Sequence, residues 1–597
     1  MATPEAQLQP TDSIPIGGKR SGAWLVRYAL EQLPVSHTFG IPGVHNTELY
    51  DELNSSERIH PVLVTHECGA AFMADAISRT SQGEIGVLAI VPAAGITHAM
   101  SGIGEAYLDG IPMLIISGGT RTDVPFGYQI HELDQQALLA NVCKRSWRLS
   151  AHTDIVPTLF EAYRTAMSGV PGPVFVEVPV NLQLFREHIA SVPVFVPPTL
   201  PELAPGIEQQ LDAAAAMLAV ADKPGLFVGW GAVDVAEDIR AVAEHLGAPV
   251  STTLQGLSAF PGDHPLHTGM GFGPAAVPAA HNAFKDCDCM LAVGTRFAEI
   301  PTGSFGCRVP EALIHIDIDP AVPGRNYPAQ VPLIGDARVL VPMLRQRIHR
   351  ATEPHVERRK AVSGSIAVDK RDYRDEWHKH RSPRVNPLRF FEALRKQLAV
   401  DAIVTTDDGN HTFLTAELMP ILRSRSFISP TDFNCMGYCV PATIGAKLAN
   451  RERQVVGIAG DGAFLMTGME LLPATVEQAG VVIFVLHDGE LSQISQGQEI
   501  PYNRKTCTQL GEIRLAGIAQ ATGARYISID NNDDLDEGIR LALKAADGGQ
   551  SAVVDVAIDY SKRTRFTKGV VGTVLKRFPL GDKFRFIGRA VTRRVTG

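Results

Sequence analysis

Three times along this 597-residue chain, short runs rich in Val and Ile alternate with Ala- and Leu-rich stretches of helical length. A strand, a helical crossover and a second strand make a parallel pair, and repeats of that unit build sheets covered by helices on both faces. The first block spans 17–185 and holds VLVTHE, GEIGVLAIV, PMLIIS and PVFVEVPV. The second spans 206–345, with GLFVGWG, CDCMLAVGT and ALIHIDID. The third spans 385–560, with AIVTTDDG, RQVVGIAGDG, VVIFVLHD and SAVVDVAID. The expected fold is therefore α/β, with three doubly wound parallel-sheet domains. A Pro-rich joint, VPVFVPPTLPELAP, reads as an extended linker after the first block. The charged stretch from RATEPHVERRK to HKHRSPR has little apolar periodicity and reads as a solvated connector before the third.

Charge and cysteine usage narrow the function. The formal net charge of -9 argues against nucleic acid as a partner. The eight cysteines form no CxxC pair, so neither a zinc ribbon nor a disulfide framework is indicated, and reduced thiols in the cytoplasm are expected. The start, MATPEAQLQPTDSIP, lacks a basic segment followed by an apolar core, and no leader is read there. No apolar run reaches the ~20 residues that span a bilayer. The tail, 561–597, differs from the rest: it carries eleven Lys and Arg against one acid, Asp582, with Phe566, Phe578, Phe584 and Phe586 interleaved. It reads as a basic arm packing on the acidic body or on a neighbouring subunit; a lid and a membrane-surface contact are the other readings, the last not expected.

In VVGIAGDGAFLMTGMELLPATVEQAGVVIFVLHDGE, two apolar runs end on acids, Asp461 and Asp488, 27 positions apart. Strand C-termini of a parallel sheet face the crevice where ligands bind. Gly460 and Gly462 let the backbone approach a ligand closely, and the amides at the start of the following helix favour a phosphate. Two carboxylate oxygens, a main-chain carbonyl near Glu490, two phosphate oxygens and a water complete an octahedron suited to Mg²⁺. Two turn-forming aspartates are the plain alternative.

The same stretch resembles the diphosphate-anchoring motif of thiamine-diphosphate (ThDP) enzymes: GDG, then about 25 to 28 residues, then an Asn pair. Here the pair is His487-Asp488, with Asp in the place of the metal-binding Asn. HTFGIPGVHNTELYDEL and VTHECGAAFMADAISR resemble the pyrimidine-side domain of acetohydroxyacid synthases and related 2-oxo acid decarboxylases. The resemblance covers almost the whole chain. It implies a pyrimidine-binding first domain, a Rossmann-like central domain and a diphosphate-binding third domain. It places Glu67 as the catalytic glutamate that bonds N1′ of the aminopyrimidine. It places Gly409, Asn410, His411 and Thr412 of DDGNHTFL, and Gly460, Gly462 and Ala463, around the diphosphate. In TDFNCMGYCVPATIGAKLAN the Asn434 carbonyl would face the cofactor amino group and Met436 would wedge the cofactor bent, a core methionine being the bland reading. Ile494 would lie near the thiazolium, and Asp461, Asp488 and Glu490 at the metal.

Departures from the synthase pattern are equally specific. VPAAGITHAM stands where a Ser/Thr-Gly-Pro-Gly run is usual, and YQIHELDQQ where a Phe-Gln-Glu turn is usual. The latter sets His131 on the expected substrate face as a candidate proton relay, or as a plain loop histidine. GIPGVHNTELY and HELDQQALLA look more like decarboxylases of longer 2-oxo acids, such as the 2-ketoarginine decarboxylase group. In synthases the central domain carries FAD; here GTRFAEIPTG lacks the usual acids, and an empty domain is favoured over FAD. The implied reaction is decarboxylation of a 2-oxo acid to an enamine, then protonation or addition to a second carbonyl. A lyase or hydrolase acting on a diketone or acyl-CoA, an FAD-dependent oxidase, and a non-catalytic member of the fold are the alternatives. The family places active sites between subunits, which implies a homodimer or homotetramer.

Overall fold

The structure, a computed structural model, describes residues 13–201 and 203–596. The beginning of the stretch read as leaderless (residues 1–12) and the last residue of the tail lie outside them. The chain divides into two compact units, 1–199 and 200–597.

The first unit is built on a six-stranded parallel sheet. Its strands are β1 (His37–Gly40), β2 (His60–Leu63), β3 (Gly86–Ile90), β4 (Met113–Gly119), β5 (Ser146–Arg148) and β6 (Pro173–Pro179), in the spatial order β2-β1-β3-β4-β6-β5. β3, β4 and β6 are buried along their whole length. Continuous apolar runs such as MLIIS and VFVEV, rather than alternating ones, suit strands that helices cover on both faces. After β2 comes the helix Glu67–Thr80, and after β3 the helix Ala94–Asp109. The two pack closely because Gly102 has no side chain: a Cβ there would sit 2.4 Å from Cβ of Ala71. Their contact encloses Arg79, fully buried, whose guanidinium meets Asp75 at 2.7 Å and Asp109 at 3.0 Å, with Glu105 at 3.9 Å.

The second unit holds the other two sheets, both parallel and six-stranded. The central one comprises β7 (Pro224–Val228), β8 (Val250–Thr252), β9 (His267–Met270), β10 (Cys289–Val293), β11 (Ala312–Asp317) and β12 (Val331–Ile334). Its order, β9-β8-β7-β10-β11-β12, is the 3-2-1-4-5-6 winding of dinucleotide-binding domains. The third comprises β13 (Ile403–Thr406), β14 (Phe427–Ile428), β15 (Val455–Gly460), β16 (Val482–His487), β17 (Arg525–Ile529) and β18 (Ala552–Ala557). Its order, β14-β13-β15-β16-β18-β17, repeats that of the first sheet.

One expectation is corrected. The charged stretch before the third sheet is not a solvated connector but a 23-residue helix, Val356–His378, in which Ile366, Tyr373 and Trp377 are buried. Three anchors on a helix of otherwise polar residues suffice to dock it, although they form no regular apolar stripe. The tail, too, is helical, as Arg565–Arg577 and Leu580–Thr596. The first tail helix is fastened to the body. Thr564 caps it, the backbone amides of Arg565 and Phe566 donate to the buried Glu417 carboxylate, and Phe566 stacks on Phe413 at 4.2 Å. Among the described residues no helix is long and apolar enough to cross a membrane.

Candidate active site

The strand order of the third sheet reverses between the parallel neighbours β13 and β15: the chain adds β14 on one side of the pair and β16 on the other. In open α/β sheets that point opens the ligand crevice at the strand C-termini. Both strands end on acids here. After β13, Asp407 is fully buried and accepts backbone N–H groups from Asp408 (2.9 Å), Gly437 (2.8 Å) and Cys439 (2.8 Å). It thereby ties the DDGNH turn to the loop carrying Asn434 and Met436. Burial lifts its carboxyl to about 7 despite those three donors. Burial also lifts Asp408 to about 6, opposed by a hydrogen bond from the Asn434 side chain.

The helix Asn410–Leu418 begins after Gly409, whose φ of +148° suits glycine. Asn410, His411 and Thr412 are buried at its start, and the Thr412 hydroxyl donates to the Asp407 carbonyl. The His411 ring fills the space between two glycines. A Cβ on Gly409 would lie 2.7 Å from its Cε1, and one on Gly460 3.2 Å from the same atom. Burial lowers His411 to about 3, so its ring is neutral, and its Nε2 has no hydrogen-bond partner.

At the end of β15, Asp461 is the first residue of the helix Asp461–Thr467 and is 1% exposed. One carboxylate oxygen accepts from its neighbour Gly462 at 2.8 Å; the other accepts from the amides of Asp488 (3.2 Å) and Gly489 (2.7 Å) beyond β16. The two acids read from the sequence are therefore brought together. Asp488 receives the Ser492 hydroxyl on Oδ2, while its buried Oδ1 has no partner. Burial raises Asp488 to about 6, and the Asp461 charge adds to the shift. The Tyr560 hydroxyl is buried nearby without a partner, held above the usual phenol range by burial and then by Asp488 and Asp461. His487, the other half of the pair, donates to or accepts from Asp555 at 2.9 Å and lies 3.8 Å from Asp461; its ring is raised above the usual imidazole range chiefly by Asp555.

The remaining residues read from the sequence are more dispersed. The Glu490 carboxylate is occupied by Lys505 (2.8 Å) and Ser495 (2.7 Å). Ala463 and Gly462 are buried beside Asp461. Asn434 is exposed with a left-handed φ of +63°, Met436 is half-buried, and Ile494 is 55% exposed on the helix Ser492–Tyr502. Among the described residues no group of three His, Cys, Asp or Glu side chains is placed to hold a metal ion by itself. Two carboxylates with one open oxygen, beside a glycine-lined turn and a helix start, fit a cation whose other ligands come from a phosphorylated partner.

In the first unit, Glu67 starts the helix Glu67–Thr80 and is 5% exposed. Its Oε2 lies 3.0 Å from His98 Nδ1, and the His98 ring stacks on His66 at 4.6 Å. Burial, and then the Glu67 charge, hold the Tyr50 phenol above its usual range. His131, with a φ of +65°, places Nδ1 3.2 Å from Nδ1 of His45. His45 is 6% exposed and lowered by burial and by His131. His45, His98, Asp407 and Tyr560 went unread in the sequence. Asp407 has a visible signal, an acid directly after a Val-rich strand just like Asp461; a histidine one turn into a helix, a histidine in a turn or a lone Tyr carries none.

A parallel-sheet switch point with buried Asp461 beside half-buried Asp488 is an arrangement of α/β proteins that bind phosphorylated ligands. The comparisons narrow that class. Residues 20–138 match the thiamine pyrophosphate enzyme N-terminal TPP binding domain, 211–344 the central domain, and 407–556 the C-terminal TPP binding domain. The chain is 32% identical over 556 residues to a probable acetolactate synthase large subunit of Methanocaldococcus jannaschii, covering 90% of this chain and 92% of that protein. It is 30% identical over 557 residues to the acetolactate synthase isozyme 3 large subunit of Escherichia coli, covering 91% and 95%. An acetolactate synthase large subunit of Corynebacterium glutamicum is 32% identical over 490 residues, covering 81% and 77%. The chain belongs to the thiamine pyrophosphate enzymes, among relatives of the acetolactate synthases.

Proposed function

We propose that the protein is a ThDP- and Mg²⁺-dependent 2-oxo acid decarboxylase or carboligase. The observation that carries this is the pairing of buried Asp461 with the amides beyond β16, next to the partnerless Oδ1 of Asp488. Asp461, Asp488 and the Glu490 carbonyl would hold the metal. Gly409 to Thr412 and Gly460 to Ala463 would cradle the diphosphate, with His411 neutral at its edge. The Asn434 carbonyl would meet the amino group, Met436 would hold the bend, and Ile494 would shield the thiazolium side. When bound, the cofactor supplies an electron sink for the carbon that loses carbon dioxide. Glu67 would hold a proton at the pyrimidine N1′, with His98 fixing its carboxylate. His131, supported by His45, would move a proton at the substrate face.

The domain roles follow: 17–185 for the pyrimidine, 206–345 central, 385–560 for the diphosphate, and 561–597 as a basic tail. No flavin is assigned to the central domain. Arg296 there is engaged with Asp432 at 2.5 Å, and Phe297 packs against Phe227, His315 and Tyr327. Active sites shared between subunits of a homodimer or homotetramer belong to this reading, as does a cytoplasmic setting, supported by eight free cysteines. The test is to load the apo-protein with ThDP and Mg²⁺ and offer pyruvate and larger 2-oxo acids. Carbon dioxide release with an aldehyde or acyloin product is expected; cleavage of a diketone without decarboxylation would replace the proposal with a lyase.

A further inference from the structure

The second tail helix, Leu580–Thr596, has two faces of different character. Phe586 lies 5.3 Å from Phe578 and 6.3 Å from Tyr502, Arg589 stands over both the Tyr502 and Phe586 rings, and Arg593 donates to the Tyr502 carbonyl at 2.9 Å. These contacts fasten the helix to Ser492–Tyr502, the helix beyond the acid pair. On a helical projection Phe586, Arg589 and Arg593 fall on one side. Leu580, Phe584, Val591 and Val595 fall within about 60° of one another on the opposite side. They are 71%, 71%, 53% and 81% exposed. A stripe of four large apolar side chains, about 22 Å long, thus points away from the body while the opposite face is anchored. Anchoring fixes the direction of the stripe, so its exposure is not the accident of a loose chain end.

The charges around the stripe have one sign. Asp582 is the helix's only acid and is taken by Arg585 at 3.0 Å. Among the described residues no carboxylate pairs with Lys583, Arg589, Arg593 or Arg594, and Lys576 and Arg577 stand at the turn before the helix. Pairing two copies of this helix through the stripe would oppose these cations to each other. What complements the face is a surface offering negative charge and apolar depth together, and an anionic lipid headgroup layer does both. We propose that Leu580–Thr596 is a surface-docking helix that seats Leu580, Phe584, Val591 and Val595 at an anionic phospholipid interface. The proposal departs from the expectation that the tail makes no membrane contact; the sequence shows the charge but not which face the body leaves open.

The experiment is co-sedimentation of the full chain with vesicles of equal phosphatidylglycerol and phosphatidylcholine, and with phosphatidylcholine alone. Binding to the mixed vesicles, release at about 0.5 M salt and little binding to phosphatidylcholine are expected. Phe584→Asp combined with Leu580→Asp should weaken binding by about tenfold or more, with the thermal midpoint unchanged because both side chains are exposed. Arg594→Glu should weaken binding to the mixed vesicles alone. Failure to pellet with the mixed vesicles, or equal pelleting of the variants, overturns the proposal. So does a fall in oligomer mass by light scattering in the double variant without a change in pelleting, which would assign the stripe to a second copy of the chain.

Discussion

Glu67 Oε2 lies 3.0 Å from Nδ1 of His98, across the contact of two helices that Gly102 allows to pack closely. The Glu67 carboxylate is thus held on one oxygen, and under the proposed function Oε1 would be the atom that meets N1′. Glu67→Gln keeps the shape and loses the acid, and should lower kcat about 10²–10⁴-fold with ThDP still bound by calorimetry. His98→Ala should act less strongly and shift the pH profile of kcat. Full activity in Glu67→Gln would remove the glutamate from the mechanism.

Asp461 and Asp488 should separate in their effects. Asp461→Ala removes the acceptor of three backbone amides as well as the proposed metal ligand, and no heat of ThDP binding with Mg²⁺ is expected. Asp488→Asn keeps an oxygen and should retain ThDP binding within about tenfold. Chelation of Mg²⁺ should release the cofactor from the native chain.

Asp407 joins the two loops beside it through its carboxylate, and its carbonyl takes the Thr412 hydroxyl. Asp407→Ala leaves the amides of Asp408, Gly437 and Cys439 buried without their acceptor, at about 1–3 kcal/mol each for those that stay dry. The urea midpoint should fall and ThDP affinity should fall with it. Asp407→Asn should recover part of both, since the amide oxygen can still accept.

These residues also mark how far the sequence could be read. The three sheets were foreseeable because apolar runs of strand length end at Gly or Asp, and Asp461 and Asp488 because each closes such a run. Asp407 stands in the same kind of position, but its place is masked by the adjacent Asp408 and by Gly409, the more conspicuous turn signal. The helix Val356–His378 is not legible in the sequence because only Ile366, Tyr373 and Trp377 dock it, too few for a period to stand out. The Glu67–His98 contact joins positions 31 apart in sequence, and only the packing of two helices makes it.

Arg79 tests that packing. It is buried with Asp75 and Asp109 at 0% exposure, so Arg79→Met would leave acids without their cation, at about 3–5 kcal/mol. The urea midpoint should drop sharply, and activity should be lost at temperatures where the native chain is stable. A midpoint within error of the native one would show that the acids take up protons without cost.

His267, at the start of β9, supplies a pH signature. Burial lowers it to about 3 from its ordinary value near 6.5, with Lys370 adding to the effect. A depressed histidine contributes stability that is complete above about pH 6.5 and is lost as pH falls, because only the unfolded chain takes up the proton. The loss is at most about 1.4 kcal/mol per pH unit. Urea midpoints at pH 7.5 and 5.5 should differ less in His267→Gln than in the native chain.

The carboxylate of Glu417 receives both the Tyr373 hydroxyl and the first two amides of the helix Arg565–Arg577. Shortening the polypeptide at Tyr560 would therefore not trim an appendage. It would strip an interior anion of two of its donors and uncover Phe413, so a deletion at the terminus would be felt as damage to the centre.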